Sequence, residues 1–268
     1  MRTVAKFLTV PLLLLLAIGL QPPADAYPGS MAALGDSISR AFAVCCQSDE
    51  QPHRSWSTGT SRSGGVDSHY QRLHALRPGI TGHNHAVSGA KADDLPRQAG
   101  AAVAQKAGYV TILIGANDLC ASSASAMTSP EAFEADITSS LAVLQRDLPR
   151  SRVLLSSIPD IYHLWSVLQG TESAGRAWAS ANICPSMLSE SNTEAERQLV
   201  VQRLLAFNGI LAEACSRFAN CRWDGGAVYG YKFPASAVSN LDFFHPGLGG
   251  QAALADLTWN ASYWADEW

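Results

Sequence analysis

The sequence predicts an α/β chain with a parallel sheet covered by helices on both faces. Two observations predict it: short apolar runs that each stop at turn residues, and helical patterns lying between those runs. The runs are Met31 to Leu34, stopped by Gly35; Ile80 to Val87, stopped by Ser88-Gly89; Tyr109 to Ile114, stopped by Gly115; Arg152 to Ile158, stopped by Pro159; and a weaker one at Asn220 to Trp223. Runs this short, rich in Val, Ile and Leu, suit strands that bury both faces.

The intervening segments read as helices. Asp93 to Ala107 is Ala-rich, with Pro96 limiting where it starts. Pro130 to Leu148 opens on proline, carries acids in its first turn and spaces its apolar residues by three and four. Thr193 to Phe218 begins with Thr193 and Glu196 at capping-box spacing. Gly249 to Trp264 is the last helical segment. In sheets of this kind ligands bind at the carboxyl ends of the strands. Attention therefore falls on Gly35-Asp36-Ser37, Ser88-Gly89-Ala90, Gly115-Ala116-Asn117-Asp118 and Pro159-Asp160. The long insertions Phe42 to Asp67 and Ile161 to Asn192 leave the same rim and are expected to wall or lid a site there.

Residues 1–26 precede this pattern. Arg2 and Lys6 are followed by a 14-residue apolar run, Phe7 to Leu20, and then by Ala24-Asp25-Ala26. A positive start, an apolar middle and a small-x-small end are the layout of a secretory signal peptide, and the run is short of the roughly 20 residues that cross a bilayer. Cleavage near Ala26 would leave residues 27–268 as one exported domain. The chain is 47% hydrophobic with a net charge of −4 and no basic run, which argues against nucleic acid as a partner. No second apolar span is evident, so stable membrane insertion is not expected, and the lack of long apolar heptads points to a monomer.

The six cysteines are Cys45, Cys46, Cys120, Cys184, Cys215 and Cys221. An even count in an exported chain predicts disulfides. Cys215 and Cys221 are near enough in sequence to pair locally, Cys120 and Cys184 would then tie two loops, and Cys45 and Cys46 remain by elimination; the sequence leaves the connectivity open.

Acyl transfer through serine needs a hydroxyl, a base, a group that orients the base, and donors for an oxyanion. Ser37 supplies the hydroxyl at the end of the first strand. Seven histidines are available as base: His53, His69, His74, His83, His85, His163 and His245. His245 is singled out because Asp242 lies three positions before it and can reach back to Nδ1, leaving Nε2 to accept a proton. Gly89 offers an unobstructed N–H after the second strand and Asn117 a side-chain amide after the third; with the Ser37 N–H they make an oxyanion hole. His83 and His85 could ligate a metal, but without a nearby carboxylate or cysteine pattern they read as polar residues along the second strand. Asp36 and Asp118 are expected to hold their loops by bonding backbone N–H groups. Gly-x-Ser-x-Gly is absent from the sequence, so the serine does not sit on the α/β-hydrolase elbow.

In this order the motifs resemble the SGNH hydrolases, also called GDSL esterases and lipases. Gly35-Asp36-Ser37 resembles their nucleophile block, Gly89 and Asn117 their oxyanion residues, and Asp242-Phe243-Phe244-His245-Pro246 their Asp-x-x-His block. Ile38 stands where the GDSL name has Leu. "RSWSTG", "SSIPDIYHLW" and "DFFHP" are most similar to secreted actinobacterial members. The resemblance implies a flavodoxin-like three-layer α/β/α sandwich with about five parallel strands, and ester hydrolysis without metal or cofactor. It implies Ser37 as nucleophile, His245 as base and then acid, Asp242 as its orienter, and Ser37, Gly89 and Asn117 around the oxyanion. Substrates would be small-molecule, lipid or acylated-carbohydrate esters. A carbohydrate esterase is the alternative enzyme, and a binding protein on an inactive scaffold the alternative of another class. Trp56, Leu164, Trp165, Leu168 and Trp178 could line an acyl groove, form a sugar platform or simply fill the core.

Overall fold

The computed structural model describes residues 27–62 and 65–268; the expected signal peptide, residues 1–26, lies outside them. Five strands run parallel in one sheet: β1 (Ser30–Gly35), β2 (Thr81–Asn84), β3 (Tyr109–Leu113), β4 (Arg152–Leu155) and β5 (Cys221–Trp223). Their spatial order is β2-β1-β3-β4-β5, the flavodoxin-like order. β2 to β5 fall inside their expected runs, and β1 exceeds its run by one residue at each end. The helices among the described residues are α1 (His69–Leu76), α2 (Leu95–Ala104), α3 (Ala116–Leu119), α4 (Pro130–Asp147), α5 (Ile161–Leu168), α6 (Glu172–Ser180), α7 (Pro185–Leu188), α8 (Glu194–Ser216), α9 (Ala227–Gly230) and α10 (Leu248–Asn260).

Alternation along the strands sorts the layers. Ala32 is in register with Val110, and Val110 with Val153; Leu34, Ile112 and Leu155 form the next such row. These side chains point to one face, where they share a core with α2, α4 and α8. The intervening positions Met31, Tyr109 and Leu154 point to the other face, against Leu73 of α1 and Trp259 of α10. The result is a three-layer α/β/α sandwich.

Local chemistry sets several helix boundaries. Thr193 Oγ1 accepts the Glu196 N–H and Glu196 Oε2 accepts the Thr193 N–H, the expected capping box of α8. Ser129 caps α4, with Pro130 in its first turn. The helix expected over Asp93 to Ala107 is shorter at both ends. Residues 92–94 form a 3₁₀ turn, and Lys106 adopts a left-handed φ of 53° just after α2. By length and composition α8 could cross a membrane, a span the sequence reading did not flag. Here Val200, Leu204, Phe207 and Leu211, spaced by three and four, are buried in the core that α8 shares with α4.

Disulfides join Cys120 to Cys184 and Cys215 to Cys221. The third expected pair is corrected: Cys45 and Cys46 carry free thiols. Elimination fails because the backbone turns between them. Cys46 takes a left-handed φ of 68° and faces solvent. Cys45 Sγ turns inward to the Arg54 guanidinium, 2.9 Å away. Adjacent cysteines can close only a strained ring, and here the Cys45 thiol lies against the guanidinium instead.

Candidate active site

β1 ends in a turn that only glycine permits. Gly35 has φ 139°, and a Cβ there would lie 2.1 Å from the Leu113 carbonyl oxygen of β3. Beyond it Asp36 Oδ1 accepts the Ile38 N–H at 2.9 Å, and the Phe42 N–H donates to the Ser37 carbonyl at 3.0 Å. This winds the chain away from the sheet and leaves Ser37 at the carboxyl rim, between β1 and β3, where the direction of strand order reverses.

His245 meets it there. Its Nε2 lies 2.8 Å from Ser37 Oγ, and its Nδ1 lies 2.6 Å from Asp242 Oδ2. Asp242 also shapes the loop that carries the ring. Its Oδ1 accepts the N–H groups of both Phe244 and His245 at 3.0 Å, while Phe243 turns at a left-handed φ of 56°. One carboxylate thus folds the turn with one oxygen and faces the imidazole with the other. Burial pushes the Asp242 carboxyl up, but the hydrogen bond and charge of His245 and the two N–H groups outweigh it, so the carboxyl sits below its ordinary value. Phe42 and Phe244 pack on the ring at 5.0 and 5.1 Å.

Gly89 and Asn117 open onto the same cleft as Ser37 and His245, a space of about 400 Å³. Gly89 holds a left-handed φ of 83°. Asn117 Nδ2 donates one hydrogen to the Ala90 carbonyl at 2.9 Å, which fixes the amide and leaves its second hydrogen for a ligand. Asp36 and Asp118 serve their loops, as expected: Asp36 binds Ile38, and Asp118 Oδ2 accepts the Ala92 N–H at 3.0 Å. Burial pushes Asp36 up to about 7 and Asp118 up to about 6.

A profile of the GDSL-like lipase/acylhydrolase family matches residues 31–258, a span containing all of these groups. The chain belongs to that family. Among curated proteins, membrane-associated phospholipase B1 of Rattus norvegicus is 30% identical over 132 residues, and that of Mus musculus 35% identical over 133 residues. Each match spans 45% of this chain and 9% of the relative's length. Among solved structures, TesA superposes with a TM-score of 0.52 at 16% identity, over 87% of this chain and 97% of TesA. A carbohydrate esterase family 2 enzyme of Corynascus thermopiles superposes with a TM-score of 0.51 at 16% identity, over 89% of this chain and 67% of that one. At such identities these structures share the fold alone.

Beside the cleft, this family member has a narrower apolar recess of about 50 Å³. Ile38, Ala116 and Pro246, chain neighbours of Ser37, Asn117 and His245, line it with Leu164, Phe233 and Phe244. Asp160 sits at its edge, where its carboxylate caps α5 and pairs with Lys232. Of the five residues expected to form a groove, a platform or core, Leu164 lines the recess and Trp56, Leu168 and Trp178 are buried. Trp165 lies under the Arg197 guanidinium at 4.2 Å. His83 and His85 stack at 6.2 Å, and His85 Nε2 bonds the Gln105 side chain.

The sequence reading missed Gln98 and Gln251, whose side chains bond the backbone around Ser37. Nothing in a lone glutamine within a helix marks it for that task. It also gave no place to Glu50, which joins two walls of the cleft by pairing with Arg40 and accepting the Ser88 hydroxyl at 2.7 Å.

Proposed function

We propose that this protein is an exported serine carboxylic-ester hydrolase that acts on acyl esters of the lipid type. The observation that carries the reading is the continuous chain from Ser37 Oγ to His245 Nε2, and from His245 Nδ1 to Asp242, at 2.8 and 2.6 Å. Asp242 holds the tautomer with hydrogen on Nδ1, so Nε2 can take the Ser37 proton as Oγ attacks the acyl carbon. The negative charge that develops on the carbonyl oxygen meets the N–H groups of Ser37 and Gly89 and the Asn117 amide. Collapse breaks the ester bond, and His245 returns the proton to the departing alcohol. Water, deprotonated by His245, then attacks the acyl-enzyme, releasing the acid and restoring Ser37.

The apolar recess supports an acyl chain longer than acetyl, because its lining adjoins the three functional residues and is apolar apart from Asp160, whose carboxylate is committed to the α5 cap and Lys232. Leader pattern and two disulfides support export. The test is a serine-directed fluorophosphonate together with a series of p-nitrophenyl esters from acetate to palmitate. Labelling at Ser37 and faster hydrolysis of esters longer than acetate are expected. A chain that neither labels nor hydrolyses any ester is not an enzyme of this kind. A maximum at acetate, with activity on acetylated xylan, selects the carbohydrate esterase instead.

A further inference from the structure

Two fully enclosed glutamines hold the backbone on either side of Ser37, and they come from opposite layers of the sandwich. Gln98 lies on α2. Its Oε1 accepts the Gly35 N–H at 2.7 Å and its Nε2 donates to the Gly35 carbonyl at 2.9 Å. Gln251 lies on α10. Its Nε2 donates to the Ile38 carbonyl at 2.9 Å and its Oε1 accepts the Trp56 N–H at 2.8 Å. Gln98 is 2% exposed and Gln251 is wholly buried. One amide thus grips the residue two before Ser37 and the other grips the residue just after it.

An apolar side chain of the same length would fill either space and avoid burying an amide. What it could not do is bind two backbone groups at once. Gly35 and Ile38 flank a segment that has left the sheet, where a helical turn, the Asp36 carboxylate and the Val87 N–H also hold the backbone, but among the described residues neither helical layer hydrogen-bonds it except through these two amides. We propose that Gln98 and Gln251 are positioning residues for the nucleophile. They form a two-sided amide clamp that fixes the Ser37 turn relative to both helical layers, and hence to His245, whose loop leads into α10. The proposal rests on the reading of Ser37 as nucleophile. Reaction at a carbonyl is sensitive to such placement, since a shift of about 1 Å can cost on the order of 10²-fold in rate.

The test replaces each amide by a side chain of matching length: Gln98→Met, Gln251→Met, and Gln98→Glu, whose protonated carboxyl can still accept the Gly35 N–H and donate to the Gly35 carbonyl, and whose ionised form loses the donor and adds a buried charge. Fluorophosphonate labelling rate, and kcat and KM for p-nitrophenyl butyrate, are read per titrated active site, with Tm measured alongside. Each Met variant is expected to lose about 10- to 100-fold in both labelling rate and kcat. KM should change by less than about 3-fold, because uniform binding is untouched. The Met loss should be equal across the pH profile, since methionine does not titrate, and Gln98→Glu should recover part of it, relative to wild type at the same pH, only where its carboxyl is protonated. If a Met variant does not fold, Gln98→Asn and Gln251→Asn, which keep an uncharged amide but draw it back by one carbon, carry the same test. Variants with lowered Tm but wild-type labelling rate and kcat per active site would show that the glutamines only support the core, and would overturn the clamp. A wild-type chain that fails to label at Ser37 overturns the nucleophile reading itself, a result distinct from labelled wild type with unchanged variants.

Discussion

Two histidines in this molecule show how differently one side chain can be used. His245 sits at the carboxyl rim, 12% exposed, between a carboxylate and a hydroxyl. His69 sits on the α1 and α10 face of the sheet with no exposure. It lies between two hydroxyls, its Nδ1 2.8 Å from Tyr109 Oη and its Nε2 2.8 Å from Thr258 Oγ1, with Trp56 and Trp259 packed edge-on. Both rings have two partners at hydrogen-bond distance. The difference is the charge of the partner and access to the cleft. At the rim, a carboxylate can stabilise imidazolium when a proton arrives from Ser37. In the core no anion faces His69. Burial, with the charge of Arg72 adding, pushes it down to about 3, so it stays neutral and acts as a polar strut between α1, β3 and α10.

That contrast is open to attack by mutation, and the rim should respond most. His245→Ala or Ser37→Ala should lower kcat by about 10⁴- to 10⁶-fold with little change in Tm, and Asp242→Asn by about 10⁴-fold, in steady-state ester hydrolysis. Asn117→Ala, removing one oxyanion donor and its tie to Ala90, should cost on the order of 10²–10³ in kcat. Were His69→Ala to cost as much activity as His245→Ala, the division between rim and core would be wrong.

His69→Ala should instead destabilise the fold by about 2–4 kcal/mol in urea titration, through a cavity and a stranded Tyr109 hydroxyl, while Thr258 keeps its bond to the Leu254 carbonyl, with kcat per folded molecule nearly unchanged. A further effect is one of pH. Between about 3 and 6.5 the unfolded chain binds a proton at His69 that the folded chain refuses. Stability from this ring is therefore present above about 6.5 and is lost as pH falls, and His69→Gln should flatten that acid limb. Asp36 works in the opposite sense. Its folded value near 7 lies above the ordinary 3.8, so the folded chain holds the extra proton, and stability from this group declines as pH rises between those values. Urea midpoints of Asp36→Asn measured from pH 4 to 8 should lack that decline.

Much of this was legible before any coordinates. The ends of β1 and β3 were marked by Gly35 and Gly115, because a run buried on both faces must stop where backbone needs turn chemistry, whereas β2 stops at Asn84 and β4 at Leu155, well before Ser88-Gly89 and Pro159. Asp242 and His245 could be paired in advance because their contact is local, three positions along one turn. The helices inside Ile161 to Asn192 were not legible as such, because their apolar residues serve cleft, recess and core in turn and present no single period. Cys45 and Cys46 misled for a related reason: counting gives parity, while adjacent cysteines can close only a strained ring.

By itself the sequence determined the alternation of strand and helix, the residues placed at the strand ends, and the local turn that binds Asp242 to His245. These follow from periodicity and short-range hydrogen bonding, which are written in adjacent residues. Only the tertiary structure carried His245 across the chain to Ser37, sealed His69 neutral in the core, and brought glutamines from two opposite layers to hold the Ser37 turn. Each of those contacts joins residues tens to hundreds of positions apart. It exists because packing both layers onto one sheet brings them together, a consequence that no local pattern carries.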